Sequence, residues 1–288
     1  MANYKIITDS ACDLSQAMQQ ALDVTAVPLH VLFKGENMPD TVEDDAIKSF
    51  YAGMRDGEVS KTSAVNPDAW ENAIEAALKE GKDALVLGFS SGLSTTYQSA
   101  VIAASELQEK YPERKIITVD TLSAASGQGL LVWYACKMRD AGLSLEELAA
   151  WVESNKLNVA HWFTVDDLVY LKRGGRISAA TAVMGAMLNI KPVLHVDNNG
   201  KLVSALKVRG RKSAIKALVD KLVETGGDFD NSTVFICHAD CMDEANQLAD
   251  AVKAKFPGTE TVIGNLGAVI GSHAGPGTLA LFFMGNER

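Results

Sequence analysis

Cysteine is scarce in this sequence: Cys12, Cys136, Cys237 and Cys241 are four among 288 residues, too few and too scattered for a disulfide framework. A chain of that length with 47% hydrophobic residues buries enough apolar surface to fold without staples, as one large or two ordinary domains. No apolar run approaches the ~18 residues that a membrane span needs. The opening MANYKIITDS enters a strand pattern with no charged segment leading into an apolar one. The expected protein is therefore soluble and cytoplasmic, touching a membrane transiently at most. Positive charge is also short. Lys and Arg number 27 against 36 Asp and Glu, and the net charge of −9 repels a phosphate backbone and argues against nucleic acid as a ligand. A P-loop is missing, and no G-x-G-x-x-G follows a strand, so nothing supports nucleotide binding. Cys237, His238, Asp240 and Cys241 lie close in sequence, but C-x₃-C without a second ligand pair is not a zinc signature. No metal or cofactor is expected.

What is present is an alternation of strand and helix. YKIIT reads as a strand, followed by a helix over DSACDLSQAMQQALD that Ser10 or Asp13 can cap. In NPDAWENAIEAALKEG, Asn66 can cap, Pro67 suits the first helical position, and Trp70, Ile74, Ala77 and Leu78 share a face that Gly81 closes. ALVLGF (84–89) and KIITV (115–119) are strands flanking a helix, which implies a parallel sheet. Two more helices follow, the second opened by a capping box of Ser144 with Glu147. After them the texture changes. VAHWFTV (159–165), IKPVLHVD (190–197) and KLVSALKV (201–208) are strands, the last two joined across DNNG as a hairpin. Helices over RKSAIKALVDKLVETG and 243–256 and strands over STVFICHAD, TETVIGNL and TLALFFMG complete a mixed, partly antiparallel half. The fold class is α/β with a boundary near 158, giving domains 1–158 and 159–288, and a cleft between them is the expected ligand site.

Several motifs compete for the chemistry. G-F-S-S-G at 88–92 fits the nucleophile-elbow pattern between strand and helix, and a hydrolase or esterase can use Ser90 with Asp240 and His273 in the required chain order. No HGGG-like oxyanion segment precedes it, and the competing account is a helix N-terminus rich in small caps. Two hydroxyl-rich loops offer another reading. Thr62 and Ser63 precede the Pro67 helix, and Ser90, Ser91, Ser94, Thr95 and Thr96 surround the start of the next. Capping explains about two of these hydroxyls, and the remainder, beside free helix N–H groups, can cradle a carboxylate or phosphate. His273 sits in GSHAGPG, just ahead of an apolar strand whose Phe282, Phe283 and Met284 read as core. Basic clusters at 172–176 (KRGGR) and 207–212 (KVRGRK) are either solvated turns or a local anion or partner site.

Set in order, ITDSACDL, KTSAVNP, SSGLSTTYQSA, DDLVYLKRGGRIS, IKPVLHV, KVRGR and HAGPG resemble the DegV family along nearly the whole chain. That resemblance implies a bacterial fatty-acid-binding protein of two α/β domains with a lipid tunnel between them, similar to the acyl-carrying subunit of fatty acid kinase. It implies that Thr62 and Ser94 hydrogen-bond the fatty acid carboxylate, with His273 near the head group; Ser63, Ser91 and Thr96, from the same two hydroxyl-rich loops, are further candidate ligand contacts. It also implies that Arg173, Arg176, Arg209 and Arg211 meet a kinase partner or a transferred phosphoryl group. The sequence departs from the family's pattern at Ala64-Val65, Thr95 and Ala274, where Gln-Pro, Gly and Thr are more usual. The hydroxyls survive. The expectation is a carrier and not an enzyme, with a long-chain fatty acid as its ligand.

Overall fold

Apolar runs buried on both faces open the chain and set its first sheet. The computed structural model describes residues 3–177, 189–227, 229 and 231–288. β1 (Tyr4–Asp9) pairs in parallel with β2 (Val24–Val27) through a 3-10 turn (Ser10–Cys12) and α1 (Gln16–Ala21). The single helix expected here, capped by Ser10 or Asp13, is thus split in two. Asp9 caps the turn by accepting the Ala11 N–H, Asp13 ends it at φ 54°, and Ser15 caps α1 by accepting from Met18. Aspartate tolerates the left-handed region better than most side chains, so Asp13 can break the helix it was expected to start.

Residues 28–63, where no element was expected, form β3 (His30–Phe33), β4 (Glu36–Pro39), the amphipathic α2 (Asp44–Arg55), which buries Ile47, Phe50, Tyr51 and Met54, and β5 (Lys61–Ser63). β4, β3 and β5 make a small antiparallel sheet in which Thr62 lies opposite Val31. Thr62 and Ser63 are therefore on a strand, not on a loop. α3 (Pro67–Lys79) follows with the Asn66 cap in place, then β6 (Asp83–Gly88), α4 (Thr96–Lys110) and β7 (Ile116–Asp120). The first sheet runs β2-β1-β6-β7, all parallel. α5 (Ala125–Asp140) and α6 (Leu145–Asn155) come next, and both halves of the Ser144–Glu147 capping box are formed.

The rest of the chain is β8 (Val159–Thr164), α7 (Val169–Arg173), β9 (Ile190–Val196), β10 (Leu202–Arg209), α8 (Arg211–Thr225), β11 (Thr233–His238), α9 (Met242–Lys255), β12 (Glu260–Asn265), α10 (Ala268–Ala274) and β13 (Leu279–Met284). These strands form a six-stranded sheet, β10-β9-β8-β13-β11-β12, antiparallel except for the β11–β12 pair. Every strand of the four-stranded sheet precedes residue 158 and every strand of the six-stranded sheet follows it. β8, β11 and β13 are buried along their full length because both faces are covered. α5 packs on one face of that sheet and α8 and α9 on the other. Gly127 permits the approach of α5, since a Cβ there would lie 2.3 Å from His161 Nε2 and 2.7 Å from the Phe282 ring. One apolar core consequently runs from Ile7 and Leu130 through to Phe163 and Phe282.

Candidate functional site

His273 is delivered by a helix too short to stand alone. α10 is seven residues long, starts at Gly267 and carries His273 in its last turn. There the imidazole meets β5, with Thr62 Oγ1 and His273 Nε2 2.8 Å apart. The other ring nitrogen, Nδ1, is buried without a hydrogen-bond partner. It faces Gly174, where a Cβ would lie 2.1 Å away, so the ring fits only against glycine. Burial, and secondarily the Arg176 charge, push the imidazole down to about 4, so it is neutral at physiological pH. With its proton on Nε2 the ring donates to Thr62, leaves a bare Nδ1 where an N–H would be an orphaned donor, and frees the Thr62 hydroxyl hydrogen for another acceptor.

The same polar cluster continues through Arg176 to Ser94. The Arg176 guanidinium donates to the carbonyls of Leu93 (Nε, 3.2 Å) and Gly174. Burial lowers its pKa from the usual arginine value, yet an arginine remains cationic. Ser94 lies just before α4, where its hydroxyl accepts the Thr96 N–H (3.2 Å) and sits 2.9 Å from Thr96 Oγ1. If the buried Thr96 hydroxyl donates to Ser94, the Ser94 hydrogen is free to turn away from the protein.

These groups border a cavity of about 560 Å³. Its wall is otherwise largely apolar, with Leu29, Phe89, Phe163, Leu171, Val269 and Phe282 contributed by both halves of the chain. Thr62, Ser63, Ser91, Ser94, His273 and Arg176 all line it. Arg176, expected to meet a partner, is thus a cavity residue. Thr96 is fully buried behind Ser94 and is not among the lining residues. Arg173 and Arg209 are exposed, Arg173 over the Tyr170 ring at 5.6 Å. Arg211 is partly buried and donates to the Gly277 carbonyl at 2.7 Å, bracing the Gly-Pro-Gly turn. Ser178, the last residue of the KRGGRIS stretch, lies outside the described residues.

Gln98 and His161 are among the lining residues that were not expected. Gln98 is in the first turn of α4, beyond the loop that carries Ser94. His161 alternates with Phe163 along β8, so strand periodicity turns both toward the cavity. Its nitrogens are taken by Val159 O (2.8 Å) and the Ala124 N–H (3.4 Å), and burial, reinforced by the Arg288 charge, holds its pKa well below the usual range. It is a neutral wall residue. Phe282 is core as expected and also lines the cavity, whereas Phe283 is fully buried elsewhere in the core.

The hydrolase constellation is not assembled. Ser90 is fully buried and donates to the Gly200 carbonyl at 2.8 Å, His273 is bonded to Thr62, and Asp240 is ion-paired with Arg55. Among the described residues no cluster of three or more His, Cys, Asp or Glu is arranged for a metal, and no helix is long and apolar enough to cross a membrane.

Comparison with known proteins places these features in context. A family model described as an uncharacterised protein of the DegV family matches residues 3–286. A DegV domain-containing protein of Clostridium perfringens is 43% identical over 100% of this chain and 99% of its own. The structure of a DegV family protein from Thermus thermophilus, described by its fatty acid binding, is similar at a TM-score of 0.87 with 32% identity, covering 98% of this chain and 99% of that one. DegV from Bacillus subtilis, a fatty acid binding protein, is similar at 0.83 with 31% identity over 99% and 100% of the two chains.

Proposed function

The chain belongs to the DegV family, and from that premise we propose that it carries a long-chain fatty acid in the cavity and presents the carboxylate to a kinase partner that makes the acyl phosphate. One observation carries the reading: a mainly apolar cavity of about 560 Å³ is lined by the polar groups Thr62, His273, Arg176 and Ser94. The two features divide the work. Burying the ~14 methylenes of a palmitoyl-sized tail at ~0.8 kcal/mol each supplies about 11 kcal/mol before ordering costs. The head group adds orientation, because the free hydroxyl hydrogens of Thr62 and Ser94 and the Arg176 cation all suit a carboxylate. His273 acts through Thr62, holding its hydroxyl in the donating orientation.

Phosphorylating that carboxylate requires a nucleotide, and this chain has no P-loop to hold one. The kinase therefore lies in another protein, in the cytoplasm where ATP is available, and the carrier needs no metal or cofactor of its own. Exposed Arg173 and Arg209 are the contacts on an otherwise acidic chain that suit such a partner or the transferred phosphoryl group. Transient contact with a membrane exchanges the lipid.

Titration with palmitate tests the head-group assignment. Thr62→Val and Ser94→Ala are each expected to weaken binding about tenfold, the value of one hydrogen bond to a charged group. Wild-type affinity in both would refute it. For the partner, ATP-dependent capture should recover a kinase with the wild type and much less with Arg173→Glu or Arg209→Glu. Failure to recover any ATP-dependent partner would remove the kinase half of the proposal and leave the lipid half standing.

A further inference from the structure

Two carboxylates, Asp13 buried and Asp40 half-buried, crowd the opposite end of α10 from His273. Asp13 Oδ1 accepts the Gly267 N–H at 3.1 Å, and Asp40 Oδ1 accepts the Val269 N–H at 2.9 Å. A Cβ on Gly267 would lie 2.6 Å from Asp13 Oδ1 and 3.2 Å from Asp40 Oδ1, so both acids press on the same point of the chain. Asp40 also accepts from Thr41 N and Ser10 Oγ, whereas Asp13 Oδ2 is buried with no partner at all. The groups facing the pair are acids too. They are the Asp9 carboxyl, the Cys12 thiol beside it, the Tyr51 hydroxyl from α2 and the Cys237 thiol from β11. On α10 itself the titratable group is His273, which is neutral.

We propose that Asp13 and Asp40 are positioning residues that hold the first turn of α10, and through it His273, in a proton-dependent clamp that is tight when the pair is protonated and loosens as it ionises. The proposal rests on the head-group role given to His273 above. Burial drives the chemistry: it raises Asp40 to about 6 and Asp9 to about 7, and it raises Asp13 well above the carboxylate range with the Asp40 charge adding to the effect. Because Asp13 Oδ1 accepts the Gly267 N–H, a proton on Asp13 sits on Oδ2. The sign follows from linkage. The closed turn binds protons more tightly than an opened one in which water reaches the acids, so opening releases a proton between the ordinary carboxylate pKa and the raised one. α10 opens more readily as the pH rises from about 4 to about 7. Val269, Ile270, His273 and Ala274 all line the cavity, so this opening loosens the wall and the head-group contact together.

Amide hydrogen exchange over residues 267–274 of the ligand-free protein tests this without fatty acid, so failure of lipid binding leaves the result interpretable. After correction for intrinsic exchange, opening in the wild type should increase at least on the order of a hundredfold from pH 4 to pH 7, the share that Asp40 alone contributes. Asp40→Asn and Asp13→Asn, which keep the acceptor oxygens, should each flatten that profile. Ser10→Ala, which takes a donor from ionised Asp40, should move its midpoint to higher pH. A flat wild-type profile overturns the proposal even if the variants fail to fold, and so does a profile that neither Asn variant changes.

Discussion

At the residue scale the site depends on what is missing from Gly174 as much as on what His273 carries. The ring stands against the glycine backbone with Nδ1 unpaired, and any side chain there displaces it. Gly174→Ala should therefore weaken palmitate binding about tenfold or more by moving the Thr62 partner, although the φ of −73° at Gly174 suits alanine and the melting temperature should fall only slightly. Calorimetric titration beside a thermal melt checks both halves. Unchanged binding would mean that the His273 ring position does not matter. His273 stood out in the sequence through its Gly-rich setting. Its partner was not, because the hydrogen bond to Thr62 joins residues 211 apart, and no local pattern encodes such a pair.

At the element scale the helix that presents Ser94 is anchored from its neighbour. Trp70 of α3 is fully buried and its indole N–H donates to the Thr96 carbonyl at 3.1 Å, at the first turn of α4. Trp70→Ala should cost about 3–5 kcal/mol in denaturant unfolding and also loosen fatty acid binding through Ser94. A loss of stability with binding intact would show that α4 is positioned otherwise. α3 could be read from sequence because its start, apolar face and stop are all local, in Asn66, Pro67, the Trp70 stripe and Gly81. β5 and α10 could not, being three and seven residues long and held in place by distant segments. Thr62 was therefore expected on a loop, and the strand that orients it emerges only when β3 pairs with it. The helix expected after β1 failed for the opposite reason, since two good caps, Asp9 and Ser15, divide one amphipathic stretch.

At the scale of the whole molecule the two sheets are tied across the cavity by contacts that sequence motifs misdescribe. Ser90 is one. Its hydroxyl joins the loop after β6 to the tip of the β9–β10 hairpin, where Gly200, at φ 70°, has room only for hydrogen beside the Ser90 oxygen. A fluorophosphonate probe should leave this serine unlabelled, and Ser90→Ala should lower the unfolding free energy as a lost buried hydrogen bond does, by about 1–3 kcal/mol, without abolishing lipid binding. Labelling at Ser90 would revive the hydrolase reading. The alternating strand–helix order and the change of texture near 158 were legible because they rest on periodicity, and a cleft between the halves was expected, but the make-up of its wall was not legible, since it draws on β8, β13, α7 and α10 from one half and β5 and the start of α4 from the other. The central claim is that this cavity holds a fatty acid. Organic extraction of the purified protein followed by mass spectrometry tests it most directly: the account predicts long-chain fatty acid at close to one per chain, or stoichiometric uptake by delipidated protein, and an extract without fatty acid together with no uptake of added palmitate would contradict it.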